Sequence, residues 1–140
     1  MGLRQSGCIA IDGRAVLIEG KPGTGKSSLT LALIDRGAGF VGDDGVLLER
    51  RGERLVASPA PATKGLIELR NLGLVEVPSV AGQPVCLAIT LSEDAPRFIE
   101  EAATIEIEGC AIPHLLLTPH DPVLPIKAEL ALARYGLARP

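Results

Sequence analysis

A glycine-rich stretch between an apolar run and a helical segment constrains this chain more than any other feature. The stretch, called the glycine-rich loop below, runs from Gly20 to Ser27 with the sequence GKPGTGKS. It follows residues 15–18, an apolar run typical of a buried strand, and it precedes residues 27–37, which have helical composition and end at Gly37. A strand, a glycine turn and a helix in this order predict an α/β fold.

The loop matches the pattern G-x-x-x-x-G-K-[ST], which is typical of phosphate binding. Its glycines let successive backbone N–H groups converge on phosphate oxygens at the positive end of the following helix. Lys26 is predicted to bridge the β- and γ-phosphates, and the Ser27 hydroxyl to ligate Mg²⁺. A purine nucleoside triphosphate is the expected ligand, although the loop alone does not choose the base. The predicted cofactor-binding residues are Gly20, Lys21, Pro22, Gly23, Thr24, Gly25, Lys26, Ser27 and Ser28.

The rest of the chain is rich in strand patterns. Asp12-Gly13 separates two apolar runs and predicts a type I′ hairpin, and residues 46–58 predict a second hairpin with a charged tip. Further strands are predicted over residues 40–41, 66–70, 74–77, 85–91, 104–108 and 111–112, and a second helix over residues 126–135. There is no regular alternation of strands and helices. We therefore expect a mixed β-sheet with few helices in a single domain spanning residues 1–140.

Two adjacent acids follow the short strand that comes after the first helix. Asp43 and Asp44 lie where the carboxyl end of that strand should meet the glycine-rich loop. Adjacent strand residues point to opposite faces, so one carboxylate could accept a hydroxyl proton while the other holds Mg²⁺ directly or through water. A simple Asp-Asp-Gly turn is the alternative, and Glu93-Asp94, after residues 85–91, is a second candidate for the metal carboxylate.

Glu68 and Arg70 lie two positions apart, so on a strand they share a face and could reach one site. A surface ion pair is the other interpretation. His114 and His120 lie in proline-containing segments without a companion at metal-ligand spacing, and we interpret both as structural. The three cysteines lie far apart in apolar surroundings, which predicts buried, reduced thiols.

Composition excludes several classes of partner. The chain carries 14 Lys and Arg against 17 Asp and Glu, a net charge of −3, and it has no Trp. It therefore lacks the basic stripe and the stacking platform that nucleic acids require, and no nucleic-acid partner is expected. No apolar run is long enough to span a membrane, and the first residues have no signal core. We expect a cytoplasmic protein without membrane contact.

Together these residues resemble the catalytic domain of bacterial HPr kinase/phosphorylase, a family that shares its P-loop architecture with phosphoenolpyruvate carboxykinase. The glycine-rich loop is similar to that family's phosphate loop, and Val41-Gly42-Asp43-Asp44 is similar to its Val-Ala-Asp-Asp element. Residues 67–74, with the sequence IELRNLGL, resemble the family signature Glu-Ile-Arg-Gly-Leu-Gly-Ile. In this chain Asn71 replaces a glycine of the signature, and Gln5 lies nearest the position where the family usually has a histidine.

The resemblance implies an ATP- and Mg²⁺-dependent protein serine kinase that acts on the phosphocarrier HPr or a paralogue and regulates the phosphotransferase system. Phosphorylase activity, which removes the phosphoryl group from the serine, could accompany it. The resemblance also implies that Asp43 is the base for the serine hydroxyl, that Asp44 supports the metal, and that Glu68 binds the metal while Arg70 acts in the active site. Lys26 is the third catalytic residue expected. A homo-oligomer is possible.

Two other functions fit the same residues. The first is a regulatory module that binds a nucleotide without transferring phosphate, and Gln5 in place of a histidine favours it. The second is a kinase of another small acceptor on the same scaffold. Three acids near one phosphate loop favour an enzyme over a binding module.

Overall fold

Eleven strands and two helices make up the chain, which a computed structural model describes over all residues 1–140. The strands are β1 (Gly2–Arg4), β2 (Gly7–Ile11), β3 (Arg14–Gly20), β4 (Gly39–Gly42), β5 (Val46–Arg51), β6 (Arg54–Pro59), β7 (Leu66–Leu69), β8 (Gly73–Glu76), β9 (Gln83–Leu91), β10 (Ala103–Ile107) and β11 (Cys110–Leu117). The helices are α1 (Lys26–Asp35) and α2 (Leu124–Tyr135), and a short 3₁₀ turn spans Pro61–Thr63. The result is a mixed α/β fold, as predicted.

Nine of the strands form one mixed sheet that curls around β9. The hydrogen-bonded order is β1-β5-β6-β9-β3-β2-β4, and β11, with β10 on its outer side, also pairs with β9. The start of β9 pairs antiparallel with β6, whereas its end pairs parallel with β11. On its other side β9 runs parallel to β3. Strands β7 and β8 form a separate hairpin.

Apolar side chains on the two faces of the sheet form two cores. One core joins β2 and β3 to the β5–β6 hairpin and to β10 and β11, with Leu17, Leu48 and Ile112 almost fully buried. The other core lies beneath α1 and α2 and includes Ile18, Leu33 and Ile89. The three cysteines are buried and unpaired, as predicted, and burial raises the pKa of the Cys8 thiol.

The first hairpin and the two helices are confirmed. Asp12 (φ 50°) and Gly13 (φ 76°) adopt the left-handed backbone that a type I′ hairpin requires. The two helices lie within two residues of the predicted limits. No helix of the structure combines the length and the apolar character needed to cross a membrane.

The strand predicted over residues 111–112 was too short, because β11 continues through Pro113 to Leu117. A proline lacks the N–H that a ladder needs, so it predicts the end of a strand. Here Pro113 lies opposite Thr104 in the ladder with β10, and the ladder with β9 begins one residue later at His114. Strand β1 was not predicted at all. Its three residues pair with the outer edge of β5.

Candidate functional site

The glycine-rich loop and Asp43 meet at one edge of the sheet because of the strand directions. Strands β3 and β4 both pair antiparallel with β2, so they run the same way. The loop begins where β3 ends at Gly20, and Asp43 follows directly after β4 ends at Gly42. The carboxyl ends of both strands therefore bring the loop and the acid together, as the sequence predicted.

The glycine-rich loop presents the N-terminus of α1 without a protein partner. Gly25 is the N-cap with φ 90°, no side chain caps the helix, and its first turn contains no acidic residue. The first N–H groups of a helix have no acceptor within the helix, and its N-terminus carries partial positive charge. Lys26 adds an ammonium group, which donates to the Gly20 carbonyl oxygen at 2.6 Å. This arrangement is suited to an anion.

Asp43 joins three elements around its buried carboxylate, which belongs to a residue only 9% exposed. The Ser27 hydroxyl, in the first turn of α1, donates to Oδ1 at 2.7 Å. The backbone N–H of Glu68, in β7, donates to Oδ2 at 2.9 Å. Both oxygens thus have donors, and the carboxylate is fixed beside the loop.

Asp44 points elsewhere, as expected for the neighbour of a buried acid. It is exposed, and Gln5 Nε2 lies at the hydrogen-bond limit of 3.5 Å from its Oδ1. No three His, Cys, Asp or Glu side chains converge closely enough to hold a metal on their own. A divalent cation here would therefore need oxygen ligands from Ser27, from water and from a nucleotide besides the acids.

A cleft of about 830 Å³ opens next to the loop. Residues of the loop and of α1 line one side, including Lys26, Ser27 and Ser28, and residues 68–73 of the β7–β8 hairpin line the other. Glu68 and Arg70 both lie on this lining, so the two residues predicted to share a site do reach the same space. The hairpin tip also contributes Asn71, which has φ 73°, and the exposed Leu72.

Sequence reasoning missed His120, which was interpreted as structural. Its ring lines the same cleft, and its Nε2 lies 2.9 Å from the carbonyl oxygen of Gly23. The two residues are 97 positions apart, and a lone histidine between prolines carries no pattern that could have revealed the contact.

Glu93, Asp94 and His114 do not line the cleft. The two acids, which were the second candidate for the metal carboxylate, are exposed residues beyond the end of β9. His114 lies on β11, where its Nε2 is 2.8 Å from the Thr90 hydroxyl. Burial lowers the pKa of His114, an effect that Glu19 opposes and Arg4 reinforces.

Comparison with known proteins identifies relatives of this chain. The family model described as the HPr Serine kinase C-terminal domain matches residues 4–115. A protein named HPr kinase/phosphorylase from Chlorobium limicola is 34% identical over 133 residues, covering 85% of this chain, and one from Mycoplasma mycoides is 32% identical over 119 residues, covering 75%. A solved structure, the Hpr(Ser) kinase/phosphatase from Coxiella burnetii, superposes with a TM-score of 0.85 at 30% identity, covering 95% of this chain and 89% of that one.

The two curated relatives are longer proteins, of which this chain spans 39% and 38%. The matched residues include the glycine-rich loop, Asp43 and the β7–β8 hairpin. On the family model and the similar structure together, the chain belongs to the HPr serine kinase C-terminal domain family.

Proposed function

We propose that this chain binds ATP with Mg²⁺ at the glycine-rich loop and transfers the γ-phosphoryl group to a serine of HPr or a related phosphocarrier. The observation that carries the proposal is the contact of Ser27, which lines the cleft, with the buried Asp43. It places a candidate metal-binding hydroxyl and a candidate base side by side at the N-terminus of a helix. The names of the relatives supply the acceptor.

The loop would hold the phosphate groups. The open N–H groups at the start of α1 would bind phosphate oxygens, and Lys26 would exchange the Gly20 carbonyl for the β- and γ-phosphates. Ser27 and Glu68, which both line the cleft, would hold Mg²⁺, and the exposed Asp44 would reach it only through water; the metal would supply positive charge to the phosphates. The loop itself selects phosphate rather than a base.

Asp43 would act on the acceptor serine. One carboxylate oxygen would accept the hydroxyl proton as the serine oxygen bonds to the γ-phosphorus and the bond from that phosphorus to ADP breaks, while the Glu68 N–H keeps the side chain in place. Arg70, across the cleft, would stabilise the charge on the transferring group. In phosphorolysis, inorganic phosphate would attack the phosphorus of the phosphoserine to form pyrophosphate, the bond to the serine oxygen would break, and Asp43 would return a proton to that oxygen.

The test is transfer of label from γ-labelled ATP with Mg²⁺ to HPr, compared between wild type, Asp43→Asn and Lys26→Ala. We expect label on a carrier serine in wild type and none in Lys26→Ala. Removal of a general base costs about 10²–10⁴-fold in rate, so Asp43→Asn should bind ATP and transfer at most about 1% of the wild-type label per unit time.

Other outcomes assign the chain differently. Binding of ATP without label on any carrier favours the regulatory module that binds a nucleotide without transferring phosphate. Label on a different small acceptor favours a kinase of that acceptor. Loss of ATP binding in Asp43→Asn would mean that Asp43 serves the metal or the loop instead of the proton. A homo-oligomer is compatible with each of these and stays a prediction.

A further inference from the structure

His120 connects the glycine-rich loop to the turn between β11 and α2. The ring nitrogen Nε2 lies 2.9 Å from the Gly23 carbonyl oxygen. A carbonyl oxygen only accepts hydrogen bonds, so Nε2 carries the proton and donates it. The ring also lies across Gly25, where an added Cβ would be 3.4 Å from Nδ1. His120 therefore contacts two of the glycines of the loop.

The direction of the Gly23 carbonyl matters for an anion site. The backbone of the loop can bind phosphate only through its N–H groups, because a carbonyl oxygen turned toward a phosphate would repel it. Gly23 has φ 83° and no Cβ. The N–H of the same peptide, on Thr24, donates a longer bond of 3.3 Å to the Lys21 carbonyl oxygen, so the 2.9 Å bond from His120 is the shorter of the two restraints on this peptide. The donor on His120 holds this carbonyl in one direction.

His120 also has an unfavourable backbone. Its φ is 61°, in the left-handed region that non-glycine residues adopt infrequently, although histidine does so more often than most. The residue is exposed, so burial of its ring does not offset the cost. Backbone strain of this kind is concentrated at functional sites, where a side chain must be held in one place.

We propose that His120 is a positioning residue of the nucleotide site, whose Nε2–H fixes the Gly23 peptide so that the loop N–H groups stay available to phosphate oxygens. The inference rests on the proposed function. It assigns His120 no contact with the transferred group.

Glutamine and asparagine provide a matched pair of variants. The glutamine amide nitrogen lies as many bonds beyond Cβ as the histidine Nε2, whereas the asparagine amide nitrogen lies one bond closer and cannot span to Gly23. Asparagine, however, adopts left-handed φ more readily than glutamine. If His120 serves only stability, nucleotide affinity should be at least as high in the Asn variant as in the Gln variant. If His120 positions the loop, nucleotide affinity should be higher in the Gln variant.

The experiment measures binding of Mg·ADP by calorimetry and stability by urea unfolding in wild type, His120→Gln and His120→Asn. We expect Gln to bind within about twofold of wild type and Asn about three- to tenfold more weakly, the value of one lost hydrogen bond, although Asn is at least as stable as Gln. In the kinase assay, Asn should raise the KM for ATP with little change in kcat. His120→Ala replaces Asn if the latter fails to fold, and the same weakening is expected.

Equal affinities of the Gln and Asn variants, or affinities that follow stability, would overturn the proposal while leaving nucleotide binding in place. Absence of Mg·ADP binding in folded wild type would overturn the proposed function together with it. The two failures are therefore distinct.

Discussion

The hydrogen bond from Ser27 to Asp43 predicts that substitutions of the two residues have coupled effects on the free energy of unfolding of the ligand-free protein. Ser27→Ala removes the hydroxyl that donates to Oδ1 at 2.7 Å. The carboxylate then keeps only the Glu68 N–H as a donor. Because Asp43 is 9% exposed, water can replace the lost donor only in part.

The magnitude follows from the charge on the acceptor. A hydrogen bond to an ionised group contributes about 1.5–3 kcal/mol, and partial access of water places this one near the lower end, at about 2 kcal/mol. For a chain of this length the loss corresponds to a decrease in Tm of about 6 °C. In an Asp43→Asn background the same serine bond joins neutral groups, so its removal should cost only about 1 kcal/mol. The coupling energy is then about 1 kcal/mol.

Urea unfolding followed by far-UV circular dichroism measures all four proteins of this cycle, which suits a chain without Trp. Ser27→Thr keeps the hydroxyl and should stay within about 0.5 kcal/mol of wild type. Unfolding of Ser27→Ala at the same urea concentration as wild type would refute the coupling. Simple addition of the single effects of Ser27→Ala and Asp43→Asn would refute it as well.

Two further predictions concern His114 and Gly42. Burial lowers the pKa of His114, so the unfolded chain binds more protons, and the free energy of unfolding should decrease as the pH falls below about 6.5, the value for a free imidazole. His114→Gln should show a weaker decrease between about pH 7.5 and 5. Identical pH profiles of the two proteins would contradict this. A Cβ on Gly42 would lie 2.3 Å from the Gly45 carbonyl oxygen, so Gly42→Ala should lower the free energy of unfolding in urea by about 2–3 kcal/mol. Gly52→Ala, whose Cβ meets no atom but whose φ is 63°, should lower it by about 1 kcal/mol. Equal losses would exclude a steric clash as the cause.

The features that depend on residues close together in the sequence were predicted from it. Asp12-Gly13 specified its hairpin because few residues tolerate left-handed φ. The glycine-rich loop lay between a strand and a helix as its spacing required, and Asp43 followed from the rule that the ends of strands running the same way share one edge. Glu68 and Arg70 both line the cleft as predicted, but Arg70 lies in the turn after β7 and Leu69 lines the cleft too, so the two-residue spacing is not the reason.

The remainder depends on contacts between distant segments, which local patterns do not contain. β11 continues through Pro113 because β10 pairs with residues 110–114 and β9 pairs with residues 114–117. The contact of His120 with Gly23 requires the turn after β11 to lie against the turn after β3, and it arises from the parallel pairing of both strands with β9. The sequence around each of these residues does not indicate the distant segment that it contacts.

The central position of β9 has a consequence for folding during synthesis. In the hydrogen-bonded order, β9 alone connects the β1-β5-β6 group to the β3-β2-β4 group. Both groups leave the ribosome before β9. Until residues 83–91 emerge, the edges of β6 and β3 that later face β9 have no strand to pair with. Such open edges favour pairing with other chains. A pause in translation shortly before β9 should therefore increase aggregation more than a pause placed after α2.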